Sequence, residues 1–319
     1  MHKSDTPPSV SFRLTFQAIR RQIDAIARQP LLMLSLLSLL GLGLRLYKLT
    51  YRDYWDDEVI STFAARPPLN EILYSVMAND VHPPLYHMLL HIWMGGFGES
   101  LLAIRVFSVL LSTACVPLMY VLGRSLTSRS VALVAAALLA IAPFQVYHGQ
   151  QARMYPLLTL LVLVATLTFV QAWRKGGRLR WLVFGLCVTA GFYTHVYFPF
   201  SLLALNLWAL YDTWRQRRIY VRQWIGIIGA QLFGVVLFLP FLVEMFNTTS
   251  RIVNEGFWVK AGTGYLDWMF VLISLSNHAT ISLRASPSIV YLLATYSPAV
   301  AIILLTFIYS LPFAYFLGH

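Results

Sequence analysis

The sequence predicts an all-α protein that crosses a membrane several times. Of its 319 residues, 58% are apolar and only 12% are charged, whereas about 25% of an average soluble domain is charged. Long apolar runs recur along the chain with short polar segments between them, which is the pattern of helices that span a bilayer. The net charge of +11 lies mainly in those short segments, so it indicates membrane topology rather than nucleic-acid binding.

The apolar runs predict the helices one by one. A single crossing needs about 20 residues, so the run at 181–211 is long enough to cross twice, with a turn near Thr194–Pro199. We therefore expect seven crossings through residue 246 and two further runs beyond it, the first of which could instead lie in the interface. The runs lie at roughly 31–49, 101–123, 131–147, 155–173, 181–211, 224–246, 265–283 and 288–317.

Basic residues set the expected orientation, because short loops rich in Lys and Arg stay on the cytoplasmic side. The loops at 174–180 and 213–223 are basic. Residues 10–28 form a basic amphipathic pattern suited to the inner leaflet, so we expect residues 1–30 to be a cytoplasmic segment. Three basic residues after the first apolar run oppose this orientation: Arg45, Lys48 and Arg52. The segments expected outside are 50–100, 148–154 and 247–264.

The first outer segment, residues 50–100, has a helical pattern although it is too short to be a domain. Its apolar residues recur at the spacing of one helix face, at Leu69, Ile72, Leu73, Val76 and Met77. Pro83-Pro84 then precede an apolar stretch at 85–97, which is too short to span. The sequence predicts two juxtamembrane helices that form a platform over the outer leaflet.

Three carboxylates follow one another directly after the first membrane helix, at Asp56, Asp57 and Glu58. Mutual repulsion and partial burial should raise the pKa of at least one of them, which is what a general base requires. The alternative is an ordinary helix start, where acids in the first turn interact favourably with the helix dipole. The spacing alone leaves both interpretations open.

The loop at 80–87 places an acid and a histidine, Asp80 and His82, at the mouth of a helix. It either lines a site or is a plain helix start. His87 and His91 share a helix face and could in principle bind a metal. Because no further acidic ligand accompanies them, a divalent metal is not favoured.

Two arginines lie near the expected outer boundary of the membrane. Arg105 lies inside an apolar run and Arg153 in a short outer loop. An arginine at membrane depth is costly unless it is paired, and a guanidinium can hold a phosphate with two hydrogen bonds. Arg153 could instead extend to the lipid headgroups. His195 lies at an outer turn, where it either contacts a ligand or simply packs.

Five short motifs occur in a fixed order on this topology. They are Asp57-Glu58, HPPLYH at 82–87, RVFS at 105–108, GQQARMYPL at 149–157 and YTH at 193–195. Together they resemble glycosyltransferase family 39, one of the C-type (GT-C) membrane glycosyltransferases, whose relatives include protein O-mannosyltransferases and the lipid A aminoarabinose transferase. The resemblance covers roughly residues 50–246.

The resemblance implies a GT-C-type transmembrane module over residues 31–246, with the juxtamembrane helices in its first outer loop. Residues 247–319 are then an outer loop followed by C-terminal membrane helices. Family members usually continue with further helices and often a soluble domain, so we expect a short or a truncated member. The expected location is the plasma (inner) membrane of a bacterium, with the active site outside the cytoplasm.

The resemblance also implies inverting transfer of a sugar from a polyprenyl-phosphate-linked donor to an extracytoplasmic acceptor. By similarity, Asp57 is the general base and Glu58 supports it, while Asp56 leaves the register open by one residue. The donor phosphate would be bound by three residues: Arg105, Arg153 and His195. The acceptor side would be lined by Asp80, His82 and Tyr155.

The expected partners are the lipid-linked donor, membrane lipids and an acceptor that is a protein, a lipid or a glycan. No cofactor is required, since the lipid-phosphate sugar is a substrate, and no nucleic acid is expected. Two other classes compete with this interpretation. A transporter or lipid flippase would predict broken helices, repeated halves and acids near the bilayer midplane. A non-catalytic membrane scaffold would leave Asp57, Arg105 and Arg153 unexplained.

Overall fold

The structure, a computed structural model, describes residues 29–79 and 82–254. This part of the chain is built from helices and contains no β-strand. The helices are α1 (Pro30–Leu46), α2 (Asp56–Ala64), α3 (Leu69–Asn79), α4 (Leu85–Phe97), α5 (Leu101–Leu126), α6 (Arg129–Ile141), α7 (Pro143–Gly149), α8 (Tyr155–Lys175), α9 (Arg178–Phe192), α10 (Phe198–Arg215) and α11 (Val221–Asn254).

Each apolar run through residue 246 coincides with a helix or a pair of helices. The run at 181–211 divides into α9 and α10, and the break at residues 193–197 confirms the predicted turn. By length and hydropathy, α5, α8 and the Val221–Met245 part of α11 are able to cross a membrane, and the bent pair α6–α7 makes a fourth if it is one span. The apolar helix α1 is shorter. The full number of crossings stays a prediction.

Close helix packing organises the described bundle around α5 and α8. Helix α5 packs against α1, α6 and α8, and α8 packs against α9 and α10. Because lipid is as apolar as the side chains, membrane helices associate largely through close contact at small residues. At the α5–α6 crossing, a Cβ on Gly123 would lie 2.9 Å from the Cα of Ala132. Any side chain at position 123 would therefore push these helices apart.

Two polar contacts link the later helices. The amides of Asn206 in α10 and Gln231 in α11 bond reciprocally, at 2.8 and 3.2 Å. At the other end of α10, Asp212 accepts a bond of 2.9 Å from the indole of Trp173 in α8. Both side chains are half-buried, and the reciprocal bonds of the Asn206–Gln231 pair join α10 to α11.

A proline divides α6 from α7, and the two helices meet at an angle of 53°. Pro143 has no N–H, so the helical bond to the carbonyl of Leu139 is lost. The guanidinium of Arg45, in α1, takes its place by donating to Leu139 at 3.4 Å and to Ala140 at 3.0 Å. Arg45 is fully buried. It is therefore an internal brace and carries no information about topology, which accounts for one of the three basic residues that oppose the expected orientation.

The two helices predicted for the platform are present as α3 and α4, and a further helix, α2, precedes them. Helix α3 begins at Leu69 and α4 spans 85–97, as the pattern predicts. Tyr86 is fully buried, and its hydroxyl lies 3.1 Å from that of Ser108 in α5. The backbone N–H of Leu85 donates to the carbonyl of Tyr193 at 2.9 Å, which joins the platform to the turn between α9 and α10.

Three expectations lie outside the described residues. They are the amphipathic helix at 10–28, the loop residue Asp80 and the apolar runs at 265–283 and 288–317.

Candidate active site

The three acids occupy the first turn of α2, and the rotation of the helix sends them in different directions. Glu58 is 1% exposed, the Asp57 side chain is 49% exposed, and Asp56 is exposed. The helix N-terminus favours all three charges. Their environments nevertheless differ enough to separate their roles.

Glu58 is held by a bidentate pair with Arg105 from α5. Arg105 donates from Nε to Oε1 at 2.9 Å and from Nη2 to Oε2 at 2.6 Å. Backbone N–H groups add bonds to the same oxygens, from Ala152 at 2.8 Å and from Trp55 at 3.1 Å. Burial by itself would raise the pKa of Glu58, but these bonds outweigh it and hold the pKa below its ordinary value. Glu58 is thus a fixed anion with four donors.

Arg105 uses every N–H of its guanidinium in this arrangement. Besides its two bonds to Glu58, it donates from Nη1 to the carbonyls of Leu49 and Arg52 at 2.7 and 2.8 Å, and from Nη2 to that of Asp53 at 2.9 Å. Arg105 therefore clamps the segment between α1 and α2 onto α5. An arginine inside an apolar run was expected to need a partner, and for Arg105 that partner is Glu58.

The loop between α7 and α8 is pinned at several points. The side chain of Gln150 donates to the carbonyls of Leu44 and Tyr47 at the end of α1, at 3.3 and 2.8 Å. Two residues later, the N–H of Ala152 reaches Glu58. These contacts fix the loop backbone directly before Arg153.

Arg153 is 5% exposed and lies against the face of α2 that carries Ser61. Its Nη1 donates to the carbonyl of Asp57 and to the hydroxyl of Ser61, both at 3.0 Å. Its Nη2 lies 3.8 Å from Oδ2 of Asp57, beyond hydrogen-bond distance. Its buried Nε has no hydrogen-bond partner among the described residues. Unlike Arg105, this cation retains donor capacity beside a half-exposed carboxylate.

A group of rings stands next to Arg153. The imidazole of His195, 3% exposed, has ring centroids within 4.9–5.7 Å at His82, Tyr155 and Tyr197. The N–H of Tyr197 donates to Nδ1 of His195 at 3.1 Å, so the neutral ring carries its proton on Nε2. Burial, followed by the nearby His82 and Arg153, lowers the pKa of His195 to about 4. At neutral pH this ring is an uncharged hydrogen-bond donor.

Comparison with known families shows to which family the chain belongs. The profile of the dolichyl-phosphate-mannose-protein mannosyltransferase family matches residues 81–243, just over half of the chain. The chain belongs to this family. The resemblance inferred from the motifs is thereby confirmed. A search of curated proteins finds no significant match.

A solved structure shows the same fold as this family member. It is a chain of the S. cerevisiae protein O-mannosyltransferase Pmt1–Pmt2 complex bound to the sugar donor, with a TM-score of 0.51 at 21% identity. The match covers 69% of the present chain and 32% of the yeast chain, so this chain spans about a third of the length of that relative. The likeness confirms the GT-C membrane fold.

The remaining sequence candidates are placed as follows. Of the site residues that the sequence predicts, only Asp80 lies outside the described region. The described region contains the other eight: Asp56, Asp57, Glu58, His82, Arg105, Arg153, Tyr155 and His195. His87 is buried in α4, while Nδ1 of His91 lies 2.9 Å from the carbonyl of Ala65. Within residues 29–79 and 82–254, no three metal-ligating side chains form a group that could hold a metal ion. The absence of a metal requirement stays a prediction.

Sequence reasoning missed two groups that contact the candidate residues, the backbone N–H of Ala152 and the hydroxyl of Ser61. The contact of Ala152 is made by its backbone N–H, so the pattern of side chains could not predict it. Ser61 lies one helical turn after Asp57 and faces Arg153, so the i, i+4 spacing could have indicated it.

Proposed function

We propose that this family member is a membrane glycosyltransferase that moves a sugar from a polyprenyl-phosphate donor to an extracytoplasmic acceptor, with inversion. The observation that carries the proposal is the pair formed by Asp57 and Arg153. A half-exposed carboxylate lies 3.8 Å from a buried guanidinium that has an unused Nε–H. A base and a phosphate-binding cation are the two groups that such a transfer needs.

Asp57 is the proposed general base. Its carboxylate removes the proton of the acceptor hydroxyl as the oxygen forms a bond to the anomeric carbon of the sugar. Asp56 is exposed and makes no hydrogen bond or ion pair within the described residues, so nothing orients it. Of the two aspartates that the sequence left open as the base, we therefore choose Asp57.

Arg153 is the proposed phosphate-binding residue. As the new bond forms on one face of the sugar, the bond from the anomeric carbon to the phosphate oxygen breaks on the other, and its electron pair stays on the polyprenyl phosphate. The leaving phosphate thereby gains negative charge. A guanidinium placed beforehand at this position stabilises the transition state more than the bound donor.

Glu58 and Arg105 are proposed to hold the frame on which these two groups are placed. The five N–H groups of Arg105 are all bonded to protein acceptors, so binding a phosphate would require breaking bonds that fix α2. The predicted role of Arg105 in phosphate binding is better carried by Arg153. Through Ala152, Glu58 also sets the position of Arg153.

The ring group beside Arg153 is proposed to receive the donor headgroup. His195 offers an Nε2–H to a phosphate or sugar oxygen, and Tyr155 and His82 line the same space. Asp80 remains an expectation for the acceptor side. The sugar, the acceptor and the requirement for a metal are left open by this proposal.

A transporter or flippase is less well supported. Among residues 29–79 and 82–254, one broken helix is present, at α6–α7. Broken helices in transporters commonly expose carbonyls to a transported ion. Here the carbonyls of Leu139 and Ala140 accept bonds from Arg45. They face a fixed cation, which leaves them unsuited to bind a mobile one.

Donor turnover by the purified chain tests the proposal. The protein in nanodiscs is mixed with polyprenyl phosphates carrying radiolabelled mannose or aminoarabinose, and with peptide, lipid and glycan acceptors. We expect one donor to be consumed, polyprenyl phosphate to be released, and the product to have the opposite anomeric configuration. Movement of intact donor across the bilayer without loss of its sugar would instead establish the flippase.

A further inference from the structure

Arg45 is a buried cation whose described partners are all neutral. It is 0% exposed within the apolar helix α1. It donates from Nε to the hydroxyl of Ser112 at 2.7 Å and from Nη1 to the carbonyl of Gly41 at 2.9 Å. Its further bonds reach the carbonyls at the end of α6. Such a residue at membrane depth is costly and calls for a reason.

The bonds of Arg45 join the helices that carry the α7–α8 loop. Ser112, in α5, passes the connection on by donating to the carbonyl of Gln145 in α7 at 3.1 Å. Gly149, at the end of α7, fits tightly against both residues. A Cβ there would lie 2.8 Å from Oγ of Ser112 and 3.2 Å from Nε of Arg45. Arg45 thus sets the angle of α7 and the point where the loop begins.

The loop that starts at Gly149 carries the groups used by the proposed mechanism. The N–H of Ala152 bonds to Glu58, and Arg153 reaches Asp57 and Ser61. Only a few residues separate this start from Arg153, so a rotation of α7 would move the guanidinium directly. A misplacement of about 1 Å in such a group can lower a rate by about 100-fold.

We propose that Arg45 is a positioning residue for Arg153, acting from beneath the site through α7 and the loop at 149–154. The proposal rests on the function proposed above. Direct binding of an anionic ligand is a poorer account of Arg45, because four of its five N–H groups already donate to protein atoms. Extension to the lipid headgroups is excluded by its complete burial.

Three variants and one control test this assignment. Arg45→Met removes the donors but keeps an apolar side chain, Arg45→Lys keeps the charge without the planar fork, and Ser112→Ala removes the link to α7. The control is Asn206→Leu combined with Gln231→Leu, which deletes a half-buried polar pair between α10 and α11. Replacing both partners leaves no group unsatisfied.

Turnover and hydrogen exchange are measured on each intact protein in nanodiscs. In Arg45→Met we expect kcat to fall by about 100-fold, a rise in KM for the donor, and faster amide exchange confined to peptides covering 149–154. Arg45→Lys should recover part of both, and Ser112→Ala should show the same changes more weakly. The control should leave kcat, KM and exchange in that loop unchanged.

The exchange measurement separates the two proposals. If wild-type protein turns over no lipid-linked sugar but Arg45→Met still loosens the loop, the function fails and the structural role stands. Unchanged exchange and kinetics in Arg45→Met would overturn the assignment. The assignment would also be overturned if amide exchange in Arg45→Met rose equally in α1 and α5 and exchange in the loop changed no more than in the control. Arg45 would then only stabilise the bundle.

Discussion

Arg153 contacts Asp57 twice: its Nη1 donates to the backbone carbonyl at 3.0 Å, and its Nη2 lies 3.8 Å from the carboxylate. The first contact fixes the arginine to the helix, and the second is too long for a hydrogen bond. A carboxylate in a tight bidentate pair would be a poor base, because taking up a proton would break the ion pair and one of its hydrogen bonds. At the separation observed here Asp57 is close to the cation, and the base role proposed for it does not require breaking a hydrogen bond to Arg153.

Replacement of Asp57 tests the assignment of the base. Asp57→Asn should lower kcat by roughly 10²–10⁴-fold with little change in donor affinity, since the amide cannot take the acceptor's proton. Asp56→Asn is the matched control and should retain near-normal turnover because its side chain is exposed. Initial rates of donor consumption measure both. The opposite ranking of the two variants would move the base to Asp56.

Replacement of Arg153 tests phosphate binding. Arg153→Gln should weaken donor affinity and lower kcat by about 10²–10³-fold, because the charge on the phosphate grows as it leaves. Arg153→Lys should recover only part, since an ammonium cannot reproduce the planar set of donors. Ser61→Ala removes one partner of Arg153 and should have a smaller effect. Normal donor binding in Arg153→Gln would contradict the role.

Labelling of introduced cysteines tests the orientation in the membrane. Asn70 in α3 and Gln216 after α10 are both exposed, and the predicted topology puts them on opposite sides. In intact cells of a bacterial host lacking outer-membrane barriers, a membrane-impermeant maleimide should label Asn70→Cys but not Gln216→Cys. Lysis should make both reactive. Equal labelling of both before lysis is incompatible with the predicted orientation.

Much of the fold follows from patterns that depend on local sequence alone. The spacing of Leu69, Ile72 and Val76 predicts α3, and the latter two are buried in the structure. The pairing of Arg105 with an acid follows from the cost of an unpaired arginine near the membrane. Such inferences succeed because each depends on only one or two residues and on the properties of the bilayer.

The division of roles among the acids could not be predicted in the same way. Successive residues of a helix differ by about 100° in direction, so the first residue of α2 decides whether Asp57 or Glu58 faces Arg105. The role of Arg45 was hidden for another reason. Its acceptors include carbonyls beside a proline break, and backbone acceptors leave no pattern in the side chains.

Loss of the Glu58 charge tests the buried pair. Glu58→Gln presents an amide to several N–H donors, so it should destabilise the protein by about 3–5 kcal/mol and shift thermal unfolding in detergent accordingly. The pKa of Glu58 is lower in the folded state than its ordinary value of 4.5. Its contribution is therefore complete above that value and is lost as the pH falls through the folded pKa. Between pH 6 and 8, the contribution of Glu58 to wild-type stability should therefore be complete and should not vary with pH. A variant as stable as wild type would contradict the frame role of the pair.

His195 should make the folded state less stable in mild acid. Its pKa is lowered from 6.5 to about 4, so between these values the unfolded chain binds a proton that the folded chain does not. Stability is then retained above pH 6.5 and falls by about 2 kcal/mol between pH 7.5 and pH 5.

Among the described residues, four groups face this ring: His82, Arg153, Tyr155 and Tyr197. The measurement compares His82→Gln with the double variant that also carries His195→Gln, so that the two proteins differ only in the ring at position 195. The single variant should lose more stability than the double variant over this pH range, as followed by thermal unfolding. Equal losses would mean that His195 becomes protonated in the folded protein, and the ring could not then act as the neutral donor proposed for the sugar-phosphate headgroup.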